Sequence, residues 1–359
     1  MSRFTSHAGL GAAALTAFLL AGCSISPATV PQQSSGGSTG SGSACPVTPD
    51  DKVTGTIKIG YQAIPNGDLV VKDNKWLESC LPKATIKWTQ YPSGAAVLQA
   101  FGSGSADISL IGSSPATKGM SAPLNKQMSI KVVWIQDVIG KAESLVAKNP
   151  AVKTIKDLKG KKIAVPFGST SHYSLLQALD QAGLNDSDVT LVNLDPDKMP
   201  AAWSGSQIDA AWVWDPTLTQ LLKGGHAVMS SEDTAKAGKP TYDLEAATTS
   251  FLSKNAAFMK VWAACQDAAV KQIKSDPGKA ADSMAAELGI SSADVQKQFS
   301  GYTYLPASEQ ASKNWLGGKL GQDLNSTAGF LLKQGGIDAV SPATTYTGAV
   351  DAGPAGAVK

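Results

Sequence analysis

Arginine is almost absent from this sequence. Of its 31 basic residues one, Arg3, is an arginine and the others are lysines, and 29 acidic residues leave a formal net charge of +2. Proteins that bind nucleic acid usually carry a basic excess or a cluster of arginines along one surface. The composition therefore argues against nucleic acid as a partner.

Histidine and cysteine are also scarce, with three and four residues in a chain of 359. Neither residue type occurs at the spacing of a zinc site, and no run of aspartates resembles a calcium-binding loop. The glycine-rich turns lack the lysine and hydroxyl residue of a phosphate-binding loop. We therefore expect no metal, no cofactor and no nucleotide.

The apolar run that follows Arg3 is too short to span a bilayer and predicts a signal peptide over residues 1–22. It ends in Leu-Ala-Gly-Cys at 20–23, which resembles the lipobox of bacterial lipoproteins, so Cys23 is the predicted lipid attachment site. An ordinary signal peptide followed by an unmodified cysteine is the alternative. Residues 23–52, rich in Ser, Gly and Pro, predict a flexible tether. We expect a protein that is lipid-anchored to the cell membrane on its extracytoplasmic side.

Three cysteines remain for an oxidising compartment. Cys265 continues an apolar stripe at helical spacing, which favours a buried and inert thiol. The remaining two, Cys45 and Cys80, are the predicted disulfide, which would tie the end of the tether to the first helical region.

From Val53 onward, strand-like and helix-like patterns alternate along the chain. The predicted strands cover 56–62, 85–91, 106–112, 161–166, 189–194 and 209–214. The predicted helices cover 93–104, 174–183 and 200–206, with a helix end at 76–81. Such alternation is typical of parallel βαβ units, and its two series predict two α/β lobes. Apolar stripes at 257–273 and 326–336 predict further helices that cover a lobe.

Polar turns follow three of the predicted strands, at the edge where α/β proteins bind their ligands. These turns contain Ser113-Ser114, Ser169 to His172, and Asp215-Pro216. The first two offer hydroxyl groups and the backbone N–H groups of a helix start to a small anion, although plain N-capping explains each turn as well. Catalysis by a serine beside His172 is not expected, because no third group and no G-x-S-x-G elbow accompany them.

Aromatic and acidic residues near these turns allow two interpretations. Trp212 and Trp214 alternate on one strand and share a face, where they form either core or a pocket wall. Glu143 and Asp243 lie in apolar surroundings, and a buried carboxylate needs a partner. A lysine of this chain and a cationic group of a ligand both remain open as that partner.

Five segments together resemble one known family. They are IGSSPAT, KIAVPFGSTSHYSLLQAL, VTLVNLDP, IDAAWVWDP and PTYDLEAAT, and they occur in this order within residues 56–340. The sequence resembles the taurine-binding proteins of ABC importers, within the nitrate, sulfonate and thiamine-precursor group of solute-binding proteins. The resemblance implies a two-lobed fold of the type II periplasmic-binding-protein kind, in which two hinge crossovers join lobes that are each a mixed sheet flanked by helices. It divides the chain into lobe 1 (53–145 and 239–345), lobe 2 (146–238) and a flexible tail (346–359).

The resemblance also implies roles for individual residues. Four of them would face a sulfonate: Ser113, Ser114, Thr170 and His172. Gln62 and Trp214 would lie nearby, and Glu143 and Asp243 would face an amine. Asp215 and Trp212 depart from the family, because relatives often have a small residue and a tyrosine at these positions.

The implied function is capture of taurine, or a similar small sulfonate, by a monomer that passes it to the permease and ATPase subunits of an ABC transporter. The lack of arginine fits this expectation, since proteins that bind α-amino acids usually clamp the carboxylate with an arginine. Other ligands remain open, namely plain alkanesulfonates, nitrate, a pyrimidine and a quaternary amine. A sulfonate-processing enzyme is the alternative from a different class of protein.

Overall fold

The computed structural model of this chain describes residues 44–359. The predicted signal peptide, the predicted lipid attachment site Cys23 and most of the predicted tether lie outside the described residues. Within residues 44–359, no helix combines the length and the apolar character that a membrane span requires.

Eleven strands form two mixed sheets in the described part of the chain. The strands are β1 (Gly55–Tyr61), β2 (Ala84–Gln90), β3 (Ile108–Gly112), β4 (Ile130–Ile139), β5 (Glu143–Ala147), β6 (Lys162–Val165), β7 (Thr190–Asn193), β8 (Ala210–Trp214), β9 (His226–Ser230), β10 (Tyr242–Thr248) and β11 (Tyr302–Thr303). The first sheet has the order β11-β4-β10-β3-β1-β2, and the second has the order β7-β6-β8-β5-β9. In each sheet a parallel part is extended by antiparallel strands.

Helices flank both sheets. They are α1 (Gly67–Asp73), α2 (Trp76–Cys80), α3 (Gly94–Ser103), α4 (Ser113–Gly119), α5 (Thr170–Gln181), α6 (Met199–Ser204), α7 (Thr217–Leu222), α8 (Ser231–Lys236), α9 (Thr249–Lys254), α10 (Ala256–Ser275), α11 (Pro277–Leu288), α12 (Ser292–Phe299), α13 (Ala307–Gln310), α14 (Lys319–Lys333), α15 (Ala343–Gly348) and α16 (Gly353–Gly356). Single 3₁₀ turns cover Leu124–Lys126, Ile155–Leu158, Asp186–Asp188 and Pro196–Lys198. The predicted α/β architecture of two lobes is thereby confirmed.

The strands follow the hydrophobic pattern of their sequences. β3, β5 and β8 are buried along their whole length, because helices or neighbouring elements cover both faces of each sheet. β2 lies at the edge of the first sheet and alternates between partly covered and exposed residues. The buried central strands of both sheets therefore end directly at the polar turns.

Two crossings join the first sheet to the second. The chain passes from β4 to β5 through residues 140–142, and it returns from α8 to β10 through residues 237–241. The crossings lie side by side, since the N–H of Ile139 donates to the carbonyl of Thr241 at 3.1 Å. A side chain at Gly140 would meet the carbonyl oxygen of Gly301 at 2.7 Å, so only glycine fits at this point.

The C-terminal helices belong to the first lobe, and one of them also contacts the second. Phe330 on α14 packs edge-on against Tyr173 on α5, with ring centroids 5.3 Å apart. Lys333 at the end of α14 forms a 2.6 Å ion pair with Asp180. The two lobes therefore meet at α14 as well as at the crossings.

The structure differs from the prediction of a flexible tail over residues 346–359. Tyr346 is fully buried, and its hydroxyl group lies 2.8 Å from that of Ser121. Val132 on β4 donates to the carbonyl of Ala349 and accepts from the N–H of Asp351, at 2.8 Å each. The glycine and alanine residues of this segment suggest fraying when taken alone, but pairing with β4 holds them in place.

Cys45 and Cys80 are joined by a disulfide, with Cα atoms 5.0 Å apart. It ties the start of the described chain to α2. Cys265 on α10 is a free, buried thiol whose sulfur lies 3.8 Å from that of Cys80, and burial raises its pKa to about 12. This thiol is therefore not ionised at neutral pH.

Candidate functional site

The ends of the central strands meet between the two lobes around a small chamber. Its lining consists of Gln62, Ile64, Gly94, Gly112, Pro115, Ile139, Glu143, Ser169, Thr170, Trp214, Asp243 and Tyr302. The space that these side chains leave is about 10 Å³, close to what one water molecule requires. The lobes touch here, because a side chain on Gly112 would meet Thr170 at 2.7 Å. Any ligand larger than water must therefore enter through a movement of the lobes or side chains.

Five of the ten predicted ligand-binding residues line this chamber. They are Gln62, Glu143, Thr170, Trp214 and Asp243. Gln62 directly follows β1 and Asp243 lies on β10, both in the first lobe, and the other three come from the second lobe, so residues of both lobes form the chamber.

Glu143 is the first residue of β5 and is held by hydroxyl groups of its own lobe. Its carboxylate accepts hydrogen bonds from Thr170 at 2.5 Å, Ser231 at 2.6 Å and Ser174 at 3.5 Å. Burial raises the pKa of Glu143, and these hydroxyl donors counteract part of that rise. The hydroxyl group of Thr170, which the family resemblance directs at a sulfonate, donates to Glu143 in this structure.

Asp243 faces the chamber from the first lobe. It is the second residue of β10, and burial together with the charge of Glu143 raises its pKa to about 8. The strand ladder places Asp137 of β4 opposite Asp243, at an irregularity in the pairing. Asp137 is fully buried, and no hydroxyl, amide or ammonium group within residues 44–359 donates to either of its oxygens.

Asp137 was not among the residues predicted from the sequence. One signal was available, because an aspartate at this point interrupts the apolar run of β4, and a buried acid needs an explanation. Its pairing with Asp243 joins residues 106 positions apart, which no local pattern shows.

Ser114 and His172 lie in a different place, a wider cleft of about 820 Å³ beside the chamber. The ring of His172 stacks on Phe167 with centroids 4.8 Å apart, and its Nδ1 accepts a hydrogen bond from the N–H of Gly168 at 3.2 Å. Burial, followed by the charge of Lys118, lowers the pKa of His172 to about 4. The ring is therefore neutral at pH 7 and carries its proton on Nε2.

Ser113, Trp212 and Asp215 are engaged in internal contacts. The hydroxyl oxygen of Ser113 accepts from the N–H of Tyr242 at 3.2 Å. Trp212 is fully buried in the core of the second lobe, and it does not line the chamber as Trp214 does. Asp215 accepts from the N–H and hydroxyl group of Thr219, at 3.0 and 2.6 Å, so its carboxylate is bound to the first turn of α7 and does not line the chamber.

Acidic side chains form part of the polar lining of the chamber. Glu143 and Asp243 face it from opposite lobes, with hydroxyl groups and the start of α5 beside them. Within residues 44–359, no group of three or more His, Cys, Asp and Glu residues is arranged to hold a metal ion. The pairing of acids and hydroxyl groups suits a small ligand that carries a cationic group and an anionic group.

Two lobes with mixed sheets, two adjacent crossings and a chamber between the lobes define the class of this protein: its fold is that of the periplasmic solute-binding proteins. The profile of the NMT1/THI5 like family matches residues 86–280. The taurine-binding periplasmic protein of Escherichia coli K12 is 34% identical over 264 residues, which are 72% of this chain and 80% of that protein. The chain therefore belongs to the NMT1/THI5-like family.

Solved structures agree on the fold. The periplasmic aliphatic sulphonate binding protein SsuA from Escherichia coli superposes with a TM-score of 0.66 at 26% identity, over 81% of this chain and 91% of SsuA. The desulfurization enzyme DSZB superposes with a TM-score of 0.57 at 13% identity, over 81% of this chain and 95% of the enzyme. The neighbours thus include binding proteins and an enzyme, and the likeness to the enzyme concerns the fold alone.

Proposed function

We propose that this protein captures taurine, or a similar small aminosulfonate, outside the cell membrane and delivers it to the permease and ATPase subunits of an ABC importer. The observation that carries the proposal is the acidic pair Glu143 and Asp243, which face one chamber from opposite lobes in a relative of a taurine-binding protein. An ammonium group between them would be bound by both lobes at once. Binding would thereby favour the closed arrangement of the lobes.

The start of α5 supplies the complementary part of the site. Its first residue, Thr170, lines the chamber, and the first N–H groups of a helix favour an anion. Ser169 caps this helix by accepting from the N–H of His172 at 3.1 Å. A sulfonate, whose charge is spread over three oxygens, would meet the N–H groups and hydroxyl group of Thr170 and Ser171.

The remaining parts of the proposal concern the whole protein. The second lobe begins at β5 with Glu143, a few residues before the predicted boundary at 145, and returns to the first lobe at β10. The two lobes would close by movement at the two crossings, and no chemistry would take place. Cys23 would carry lipid, so that a monomer stays at the extracytoplasmic face of the cell membrane. These features are supported by the sequence of the N terminus and by the fold.

Calorimetric titration tests the ligand. Taurine should give saturable binding with one site per chain, whereas nitrate and a pyrimidine should give no heat of binding. Strong binding of nitrate or a pyrimidine without any binding of taurine would contradict the proposal. Incubation with taurine followed by analysis of the recovered ligand separates the two protein classes, because an enzyme would consume taurine and a binding protein returns it unchanged.

A further inference from the structure

Asp137 is a buried carboxyl group that has no role in the proposed binding of taurine as described above. It lies on β4, between β10 and β11, and does not itself line the chamber. The strand ladder pairs Asp137 directly with Asp243, so the two side chains lie on the same face of the sheet, with Cβ atoms about 4.5–5.5 Å apart in a pair of this kind. Asp137 therefore influences the chamber through Asp243.

The titratable groups that act on Asp137, or on which it acts, are acidic or phenolic. They are Asp243 on β10, Glu143 on β5, Tyr302 on β11 and Tyr304 shortly after it. The hydroxyl group of Tyr302 lines the same region and has no partner within residues 44–359, whereas Tyr304 donates to the carbonyl of Pro65 at 2.6 Å. Burial and the charges of Asp243 and Glu143 raise the pKa of Asp137 well above its usual value.

Two carboxyl groups in contact inside a protein do not both ionise, because the repulsion between two buried charges is too large. Asp137 is the more deeply buried of the two, while Asp243 faces the chamber. A proton on Asp137 can form a hydrogen bond to Asp243, so Asp243, the residue beside the ligand, is the one of the two that becomes charged when a cationic group lies next to it.

We propose that Asp137 is a positioning residue: it donates a hydrogen bond to Asp243, holds that carboxylate toward the chamber and so makes the site selective for ligands with a primary ammonium group. This inference rests on the proposed function and names the feature of the ligand that the site selects. A ligand with an ammonium group would pair with Asp243 and Glu143. A ligand without one would leave both desolvated carboxyl groups without a cationic partner, which is unfavourable.

Three variants and two ligands test this role. Taurine and ethanesulfonate differ by the amino group alone, so the ratio of their dissociation constants measures selection of the amine. Asp137→Ala removes the donor, and we expect it to reduce that ratio by about tenfold or more. Asp137→Asn keeps an N–H donor at the same place, so it should retain a ratio within about threefold of the unmodified protein.

Glu245→Gln serves as the matched control, because Glu245 is a fully buried carboxyl group on β10, the strand of Asp243, and does not line the chamber. It should leave the ratio unchanged, and thermal unfolding of each variant checks that it is folded. The role of Asp137 would be overturned if Asp137→Ala weakened the binding of both ligands equally or of neither. It would also be overturned if Asp137→Asn reduced the ratio of dissociation constants as much as Asp137→Ala does. If the unmodified protein does not bind taurine, the proposed function itself fails and takes this inference with it, an outcome that the first titration reveals before any variant is compared.

Discussion

Replacement of Asp243 by asparagine should weaken the binding of taurine far more than that of ethanesulfonate. The change keeps the size of the side chain and removes the charge that would meet the ammonium group. Removing one partner of a desolvated, hydrogen-bonded charge pair costs roughly 2–5 kcal/mol. Glu143 remains on the opposite side of the chamber and continues to attract the amine, so we expect the lower part of that range. A loss of about 2–3 kcal/mol corresponds to a dissociation constant that is roughly 30- to 150-fold larger.

Calorimetric titration of the two proteins with both ligands measures this effect. We expect the variant to stay folded, because the buried charge of Asp243 destabilises the folded state. A loss of affinity would therefore come from the binding site and not from unfolding. The pKa of Asp243 is raised to about 8, so asparagine should increase the unfolding temperature at pH 8. A change of less than about threefold in the affinity for taurine, with the fold intact, would refute the reasoning and remove Asp243 from the site.

Three further predictions concern stability and the anion side of the site. Folding raises the pKa of Asp243 to about 8, from about 3.9 in unfolded chains, so the folded protein binds more protons than the unfolded one between these pH values. The unfolding temperature should therefore fall as the pH rises from 5 to 8. An unfolding temperature that rises over this interval would contradict the raised pKa of Asp243. Thr170→Val removes a hydroxyl group that donates to Glu143 and lies where the sulfonate is expected. It should weaken taurine binding by roughly tenfold, while the recovered taurine stays chemically unchanged. An unaltered affinity in the titration would argue against this anion site. Cys45→Ser opens a loop of 35 residues and should lower the free energy of unfolding, measured by denaturant titration, by about 3–4 kcal/mol. The affinity for taurine should not change, because Cys45 and Cys80 do not line the chamber. A large loss of affinity would show that the disulfide also shapes the site.

Local patterns predicted those parts of the fold that depend on local chemistry. The buried apolar segment at 106–112 became β3, and the predicted helix at 174–183 became α5, which begins four residues earlier, at Thr170. The C-terminal tail could not be predicted in the same way. Its small residues carry no strong pattern, and their order depends on pairing with Val132, more than two hundred residues earlier.

Individual site residues could be predicted only where their position on a strand or at the start of a helix directs the side chain into the chamber. Glu143 and Asp243 stand near the beginnings of their strands and reach it, whereas Trp212 points into the core of its lobe although it shares a strand with Trp214. Asp137 reaches the site only through the pairing of β4 with β10, and tertiary pairing of this kind is invisible in one sequence.

A crystal structure of the complex with taurine tests the central claim most directly. We expect the amino nitrogen within about 3 Å of the carboxylate oxygens of both Glu143 and Asp243, with the sulfonate oxygens at the start of α5 beside Thr170. Taurine bound in the opposite orientation, or bound instead in the wider cleft beside Ser114 and His172, would contradict it.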